Sequence, residues 1–168
     1  MNTNHLKILF VCTGNSCRSP MAEGILKHLL KKEGVDSVLV ESAGTMAPEG
    51  MAPTNNALLA MVERGLDISG HRARTLTKEM VEDSDLIFVM EKAHQRFVEH
   101  MVPSAREKVF LLKAYRANGE KREVEDPIGG DLEVYRNAYD ELEREIQRVF
   151  PMIKALAKKK QSPRGHYG

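Results

Sequence analysis

The feature that most constrains this fold lies near the N-terminus, where an apolar run, a tight loop and a helical repeat follow one another without a gap. Leu6, Ile8, Leu9, Phe10 and Val11 are almost continuously apolar, as expected for a strand buried on both faces. After the loop Cys12 to Ser19, the residues Met21, Ala22, Ile25, Leu26, Leu29 and Leu30 recur at helical spacing. Ser19 is placed to cap that helix and Pro20 suits its first position, while Gly34 is expected to end it. The opening of the chain therefore predicts a strand that feeds a helix through a short loop.

The pattern repeats downstream. Val38 to Val40 reads as a strand, followed by the turn-rich stretch Ser42 to Pro53. Ala57, Leu58, Met61 and Val62 mark a helix that stops near Gly65, and a short helix is expected around Lys78 to Glu82. Leu86 to Met90 reads as a buried strand, Ala93 to His100 as a polar helix, and Val109 to Leu112 as a last strand. Apolar residues from Leu132 to about Lys158 recur along a long amphipathic helix, with Pro151 as an expected kink. Strands alternating with helices imply an α/β fold, a parallel sheet covered on both faces. The expected division is one domain over residues 1–158, then a basic tail over 159–168 that should fray as a solvated terminus.

A chain of 168 residues suffices for one domain with a full core. Its 25 basic and 24 acidic residues leave a net charge of +1, which gives no sign of a nucleic-acid partner. Cys12 and Cys17 are its two cysteines, too few and too close together for a secreted disulfide scaffold. The run Leu6 to Val11 is too short for a signal segment or a membrane span. A cytoplasmic setting with reduced thiols, no membrane partner and a monomer are the expectations.

The loop carries the chemistry. Backbone N–H groups at a strand–helix junction converge on one cavity, and the helix dipole adds positive potential. Gly14 and Asn15 tolerate the left-handed backbone that a tight anion-binding loop needs. A cysteine opening such a loop should have its pKa lowered, into a range of about 3.5 to 7.5. Arg18 can return its guanidinium to two phosphate oxygens, and Ser19 can donate its hydroxyl to the thiolate. Cys12 and Arg18 alone would suit a buried strand-end cysteine in a mere turn about as well as a phosphate cradle. The addition of Gly14, Asn15, Ser19 and Pro20 at a strand–helix junction favours a phosphate cradle running from Cys12 through Thr13, Gly14, Asn15, Ser16 and Cys17 to Ser19. A zinc site is disfavoured, because no second ligand pair follows. The acid of such a reaction could be Glu125, Asp126 or Asp131 on chemistry alone.

The segment Val-Cys-x-Gly-Asn-x-Cys-Arg-Ser-Pro at 11 to 20, with Ser42-Ala43-Gly44-Thr45 and Asp126-Pro127, resembles the low-molecular-weight protein-tyrosine-phosphatases over about Leu6 to Phe150. The resemblance implies a single domain with a four-stranded parallel sheet and flanking helices, no metal and no cofactor. It implies phosphorylated protein substrates, with Cys12 forming a phosphocysteine that water hydrolyses. Asp126 would be the general acid and then the base. Asn15, Ser19, Ser42 and His71 match a hydrogen-bond network that shapes the loop. His5, His28, His94, His100 and His166 have no such match and are read as structural. Cys17 would either pack beneath the loop or form a reversible disulfide with Cys12 under peroxide.

Relatives acting on phosphotyrosine usually carry a bulky aliphatic residue after the nucleophile and a tyrosine pair after Asp-Pro. Here Thr13 and Ile128-Gly129-Gly130 stand instead, and Met46 to Pro53 offers no aromatic. Thr13 with Asp-Pro-x-Gly-Gly resembles the bacterial protein-arginine-phosphatase branch, which more typically has an aromatic where Ile128 stands. Phosphoarginine is therefore favoured, with phosphotyrosine as the alternative. Arsenate reduction would need cysteines beyond the loop, and none follows Cys17. A non-catalytic phosphate-binding module predicts the loss of Cys12, Arg18 or Asp126, and all three are present.

Overall fold

The structure is a computed structural model that describes residues 4–117 and 123–162. The apolar run forms strand β1 (Leu6–Cys12), followed by helix α1 (Arg18–Lys32) and strand β2 (Val38–Gly44). Helices α2 (Asn55–Val62) and α3 (Lys78–Asp83) precede strand β3 (Leu86–Val89). Helix α4 (Lys92–Met101), a 3-10 turn, strand β4 (Val109–Leu111) and helix α5 (Leu132–Gln161) complete the chain. The four strands pair in parallel in the order β2-β1-β3-β4. This is the α/β architecture the alternation predicts.

Side chains alternate across the sheet, so β1 builds two cores. Ile8 and Phe10 pack with Met21, Leu26, Phe88, Leu142, Ile146 and Val149 under α1 and α5. Leu9 and Val11 face Val81, Ile87, Val89 and Val98 on the side of α3 and α4. Helices thus cover both faces. Burying one such large apolar side chain contributes roughly 1.5–3 kcal/mol. Among the described residues, no helix is long and apolar enough to cross a membrane.

Three local expectations are corrected. Helix α1 begins at Arg18 with Cys17 as its N-cap, so Ser19 is not the cap and Pro20 lies third. Its missing N–H is harmless there, because the first-turn donors lack intrahelical partners. Helix α5 continues through Pro151 to Gln161, and Lys160 reaches Asp85 at 2.6 Å. The start of the basic segment, Lys159 to Gln161, is therefore helical, while 163–168, with His166, lie outside the described residues. Within the loop, Asn15 alone is left-handed, at φ +52°, and Gly14 is not. A Cβ on Gly14 would sit 3.3 Å from Ser16 Oγ, a tight contact that a small shift of that side chain would relieve.

Parallel pairing brings the carboxyl ends of β2, β1 and β3 side by side. Cys12 is opposite Gly44, and Val11 lies between Ala43 and Val89. Loops leaving these ends form the crevice in which open α/β sheets bind ligands.

Candidate active site

Cys12 closes β1 and is almost fully buried. Its Sγ lies 2.8 Å from Ser19 Oγ and accepts the Asn15 N–H at 3.2 Å. Asn15 Nδ2 donates to Ser19 Oγ at 2.8 Å and to Ser42 Oγ at 3.0 Å. Ser42 in turn donates to Glu23 Oε1 at 2.7 Å. With Asn15 donating to it, Ser19 keeps its own hydrogen for Cys12. The Arg74 N–H donates to Asn15 Oδ1 at 2.9 Å, and His71 Nε2 donates to Asn15 O at 3.0 Å. The network expected of Asn15, Ser19, Ser42 and His71 is thus assembled, with Glu23 and the Arg74 amide added.

The end of β2 holds the loop's backbone. Thr45 and Met46 donate their N–H groups to the carbonyls of Cys12 and Thr13 at 3.0 and 2.9 Å. The approach is so close that a Cβ on Gly44 would lie 2.4 Å from Thr13 O and 3.0 Å from Asn15 N.

Arg18 is buried on the first turn of α1. It pairs with Glu91, donates to Val124 O at 2.8 Å, and lies 3.4 Å from Asp126 Oδ2. Asp126 shares a cavity of about 260 Å³ with Cys12, Thr13, Gly14, Ser16, Cys17, Arg18 and Ile128. Grooves elsewhere reach about 460 and 520 Å³, so chemistry, rather than size, singles this cavity out. Of the alternative acids, Glu125 lines a neighbouring groove with Asn137 and Glu141. Asp131 caps α5, accepting from Val134 N at 3.1 Å. Asp126 alone of the three lines the cavity.

The Cys12 thiol differs from expectation. Burial pushes its pKa up, and outweighs the Ser19 hydroxyl, the Arg18 charge and the amides of Ser19 and Asn15, all of which pull it down. Arg18 also pairs with Glu91 and lies 3.4 Å from Asp126. Cys17 is also a free thiol, near Tyr135 Oη at 3.3 Å and Thr54 Oγ1 at 3.5 Å.

Two site residues escape the sequence pattern. Glu91 and His94 begin α4, directly after β3. Glu91 holds Arg18, while His94 Nε2 lies 2.9 Å from Thr13 Oγ1. His94 is therefore not merely structural, as expected, but touches the loop. Position just beyond a parallel strand's carboxyl end is the signal that could have found both. His5, His28 and His100 do not line the cavity. Among the described residues, no group of three or more His, Cys, Asp or Glu is arranged to hold a metal ion.

The family described as low molecular weight phosphotyrosine protein phosphatase matches residues 7–162. A protein-arginine-phosphatase of Bacillus subtilis is 37% identical over 149 residues, covering 89% of this chain and 97% of that one. A probable low molecular weight protein-tyrosine-phosphatase, EpsP of Ralstonia solanacearum, is 36% identical with the same coverage. Among solved structures, the YwlE arginine phosphatase with a phosphorylated active-site serine aligns with a TM-score of 0.79 at 36% identity. It covers 95% of this chain and 98% of that one.

Proposed function

The chain belongs to the low molecular weight phosphotyrosine protein phosphatase family, and on that premise we propose that it hydrolyses phosphorylated protein side chains through a phosphocysteine, preferring phosphoarginine. The observation that carries this reading is the placement of Cys12 Sγ. It sits between the Ser19 hydroxyl and the Asn15 amide, in a cavity that Arg18 and Asp126 also line.

The proposed sequence has two steps. The phosphoryl oxygens settle on the loop amides and Arg18, and Cys12, whose thiol proton passes to solvent before the chemical step, attacks phosphorus as a thiolate held by Ser19, Arg18 and the Asn15 amide. As the S–P bond forms and the P–N bond breaks, protonated Asp126 gives its proton to the departing nitrogen. Water then attacks phosphorus, Asp126 takes its proton, and the S–P bond breaks to free phosphate and thiolate. Ser19 stabilises the sulfur as it leaves. The phosphate competes with Asp126 for the guanidinium of Arg18, which releases the carboxyl group toward the leaving atom. No metal or cofactor takes part.

Phosphoarginine is supported by the polar Thr13 wall, by the absence of an aromatic from Met46 to Pro53, and by the arginine-phosphatase relatives. Phosphotyrosine has one observation of its own, the exposed Ile128 at the cavity, which could pack on a ring. The deciding experiment is kcat/KM on matched phosphoarginine, phosphotyrosine and phosphoserine peptides. Preference for phosphotyrosine would overturn the substrate assignment and leave the chemistry standing.

Cys17 supports a protective role, since both thiols line one cavity. Peroxide oxidises Cys12 to a sulfenic acid, and Cys17 displaces water from it to form a disulfide. Activity lost to peroxide should return with dithiothreitol in the wild type and much less in Cys17→Ser. Equal recovery would return Cys17 to packing. The enzyme is proposed to act as a monomer in the reducing cytoplasm, on protein substrates and away from nucleic acid and membranes.

A further inference from the structure

The first turn of α4 does more than close a helix. The Glu91 N–H can only donate, and it points at His94 Nδ1 from 3.1 Å. Nδ1 is therefore bare, and in a neutral imidazole the single hydrogen sits on Nε2. Nε2 lies 2.9 Å from Thr13 Oγ1, so it donates and the threonine oxygen accepts. His94 is only 2% exposed. Burial, with the Arg18 charge nearby, pushes its pKa down to about 4, which keeps the ring neutral at neutral pH, and the Glu91 amide selects the tautomer.

We propose that His94 is a positioning residue for substrate choice, locking the Thr13 side chain so that its second lone pair and its hydroxyl hydrogen face the phosphate cavity. The proposal rests on the phosphoarginine reading. A hydroxyl has two lone pairs and one hydrogen. With one lone pair committed to His94, Thr13 loses the freedom to turn its oxygen away, and a β-branched side chain has few rotamers to begin with. A guanidinium beyond the phosphate carries N–H groups that need acceptors, and a bare phenyl ring offers none. The gain from a fixed acceptor is therefore specific to the guanidinium. The Glu91 side chain holds Arg18 while its amide fixes the His94 tautomer. One helix start thus orients both the phosphate clamp and the selecting hydroxyl.

The test is a double-mutant cycle on a phosphoarginine peptide and an aryl phosphate, with the wild type, Thr13→Val, His94→Leu and the double variant. A buried donor left without its acceptor costs about 1–3 kcal/mol, so the phosphoarginine-to-aryl ratio of kcat/KM should fall about tenfold or more in His94→Leu. The double variant should be no worse than Thr13→Val, because both remove the same contact. His94→Gln, whose amide can still donate to Thr13, should recover most of the ratio. Nitrogen-15 spectra of the folded wild type should show His94 protonated at Nε2 from pH 6 to 8.

Parallel losses on both substrates, multiplicative effects in the double variant, or a proton on Nδ1 would overturn the proposal. Wild-type preference for phosphotyrosine would be a separate failure, that of the substrate reading. The nitrogen-15 spectra would then decide the contact by themselves, since a proton on Nε2 keeps the His94–Thr13 hydrogen bond and a proton on Nδ1 ends it.

Discussion

The side chain of Asn15 uses both ends of its amide. Oδ1 accepts from the Arg74 amide, and Nδ2 donates to Ser19 and Ser42, while the backbone takes φ +52°. Few side chains tolerate that conformation, and none of the others offers the same donors and acceptor. The residues that act on substrate are argued one by one in the same way. Cys12→Ser should lose turnover while still binding vanadate, because the loop amides and Arg18 remain, and Arg18→Ala should lose both. Turnover by Cys12→Ser would remove the phosphocysteine. Asp126→Asn should slow poor leaving groups most, since they need a proton as the bond breaks. Rates on phosphoarginine should therefore fall further than on an activated aryl phosphate, by a factor of about 10²–10⁴ at the proton-transfer step. A larger loss from Glu125→Gln would move the acid to Glu125.

At the scale of elements, the carboxyl end of β2 acts as a mould for the loop. Gly44→Ala would drive a methyl group into the Thr13 carbonyl. Overpacking of this kind costs about 1–3 kcal/mol. The variant should unfold at lower denaturant and lose phosphate affinity, and wild-type affinity in Gly44→Ala would show that the loop does not depend on the mould. The strand–loop–helix unit was legible in the sequence because its signals are local. Leu6 to Val11 give a buried strand, and Asn15 gives the left-handed residue. By sequence Ser19 suits both a helix start and a thiol partner, and only its burial next to Cys12 decides for the second. Glu91 and His94 carry only one signal in the sequence, their place after a strand's carboxyl end. Helix α4 reads as polar, and nothing local says that its first turn lies 81 residues from Thr13 in sequence yet within hydrogen-bond reach.

For the whole molecule, the buried neutral His94 ties folding to acid. Its folded pKa is about 4, against an ordinary 6.5. Between these values the unfolded chain binds a proton that the folded chain refuses, so stability drains as pH falls from about 6.5 toward about 4 and is unaffected above pH 7. Urea midpoints from pH 7 to 4.5 should decline more steeply for the wild type than for His94→Gln. Equal slopes would assign the acid sensitivity to other groups.

The contacts that complete the site also differ in when they can exist. The loop's own braces, at Ser42, His71 and Arg74, lie in the first half of the chain. Val124 and Tyr135, which meet Arg18 and Cys17, are separated from them by 106 and 118 residues. In a chain emerging from the ribosome N-terminus first, the contacts of Arg18 with Val124 and of Cys17 with Tyr135 therefore form late. The loop's shape can thus be set before the contacts that finish its clamp and its second thiol are made.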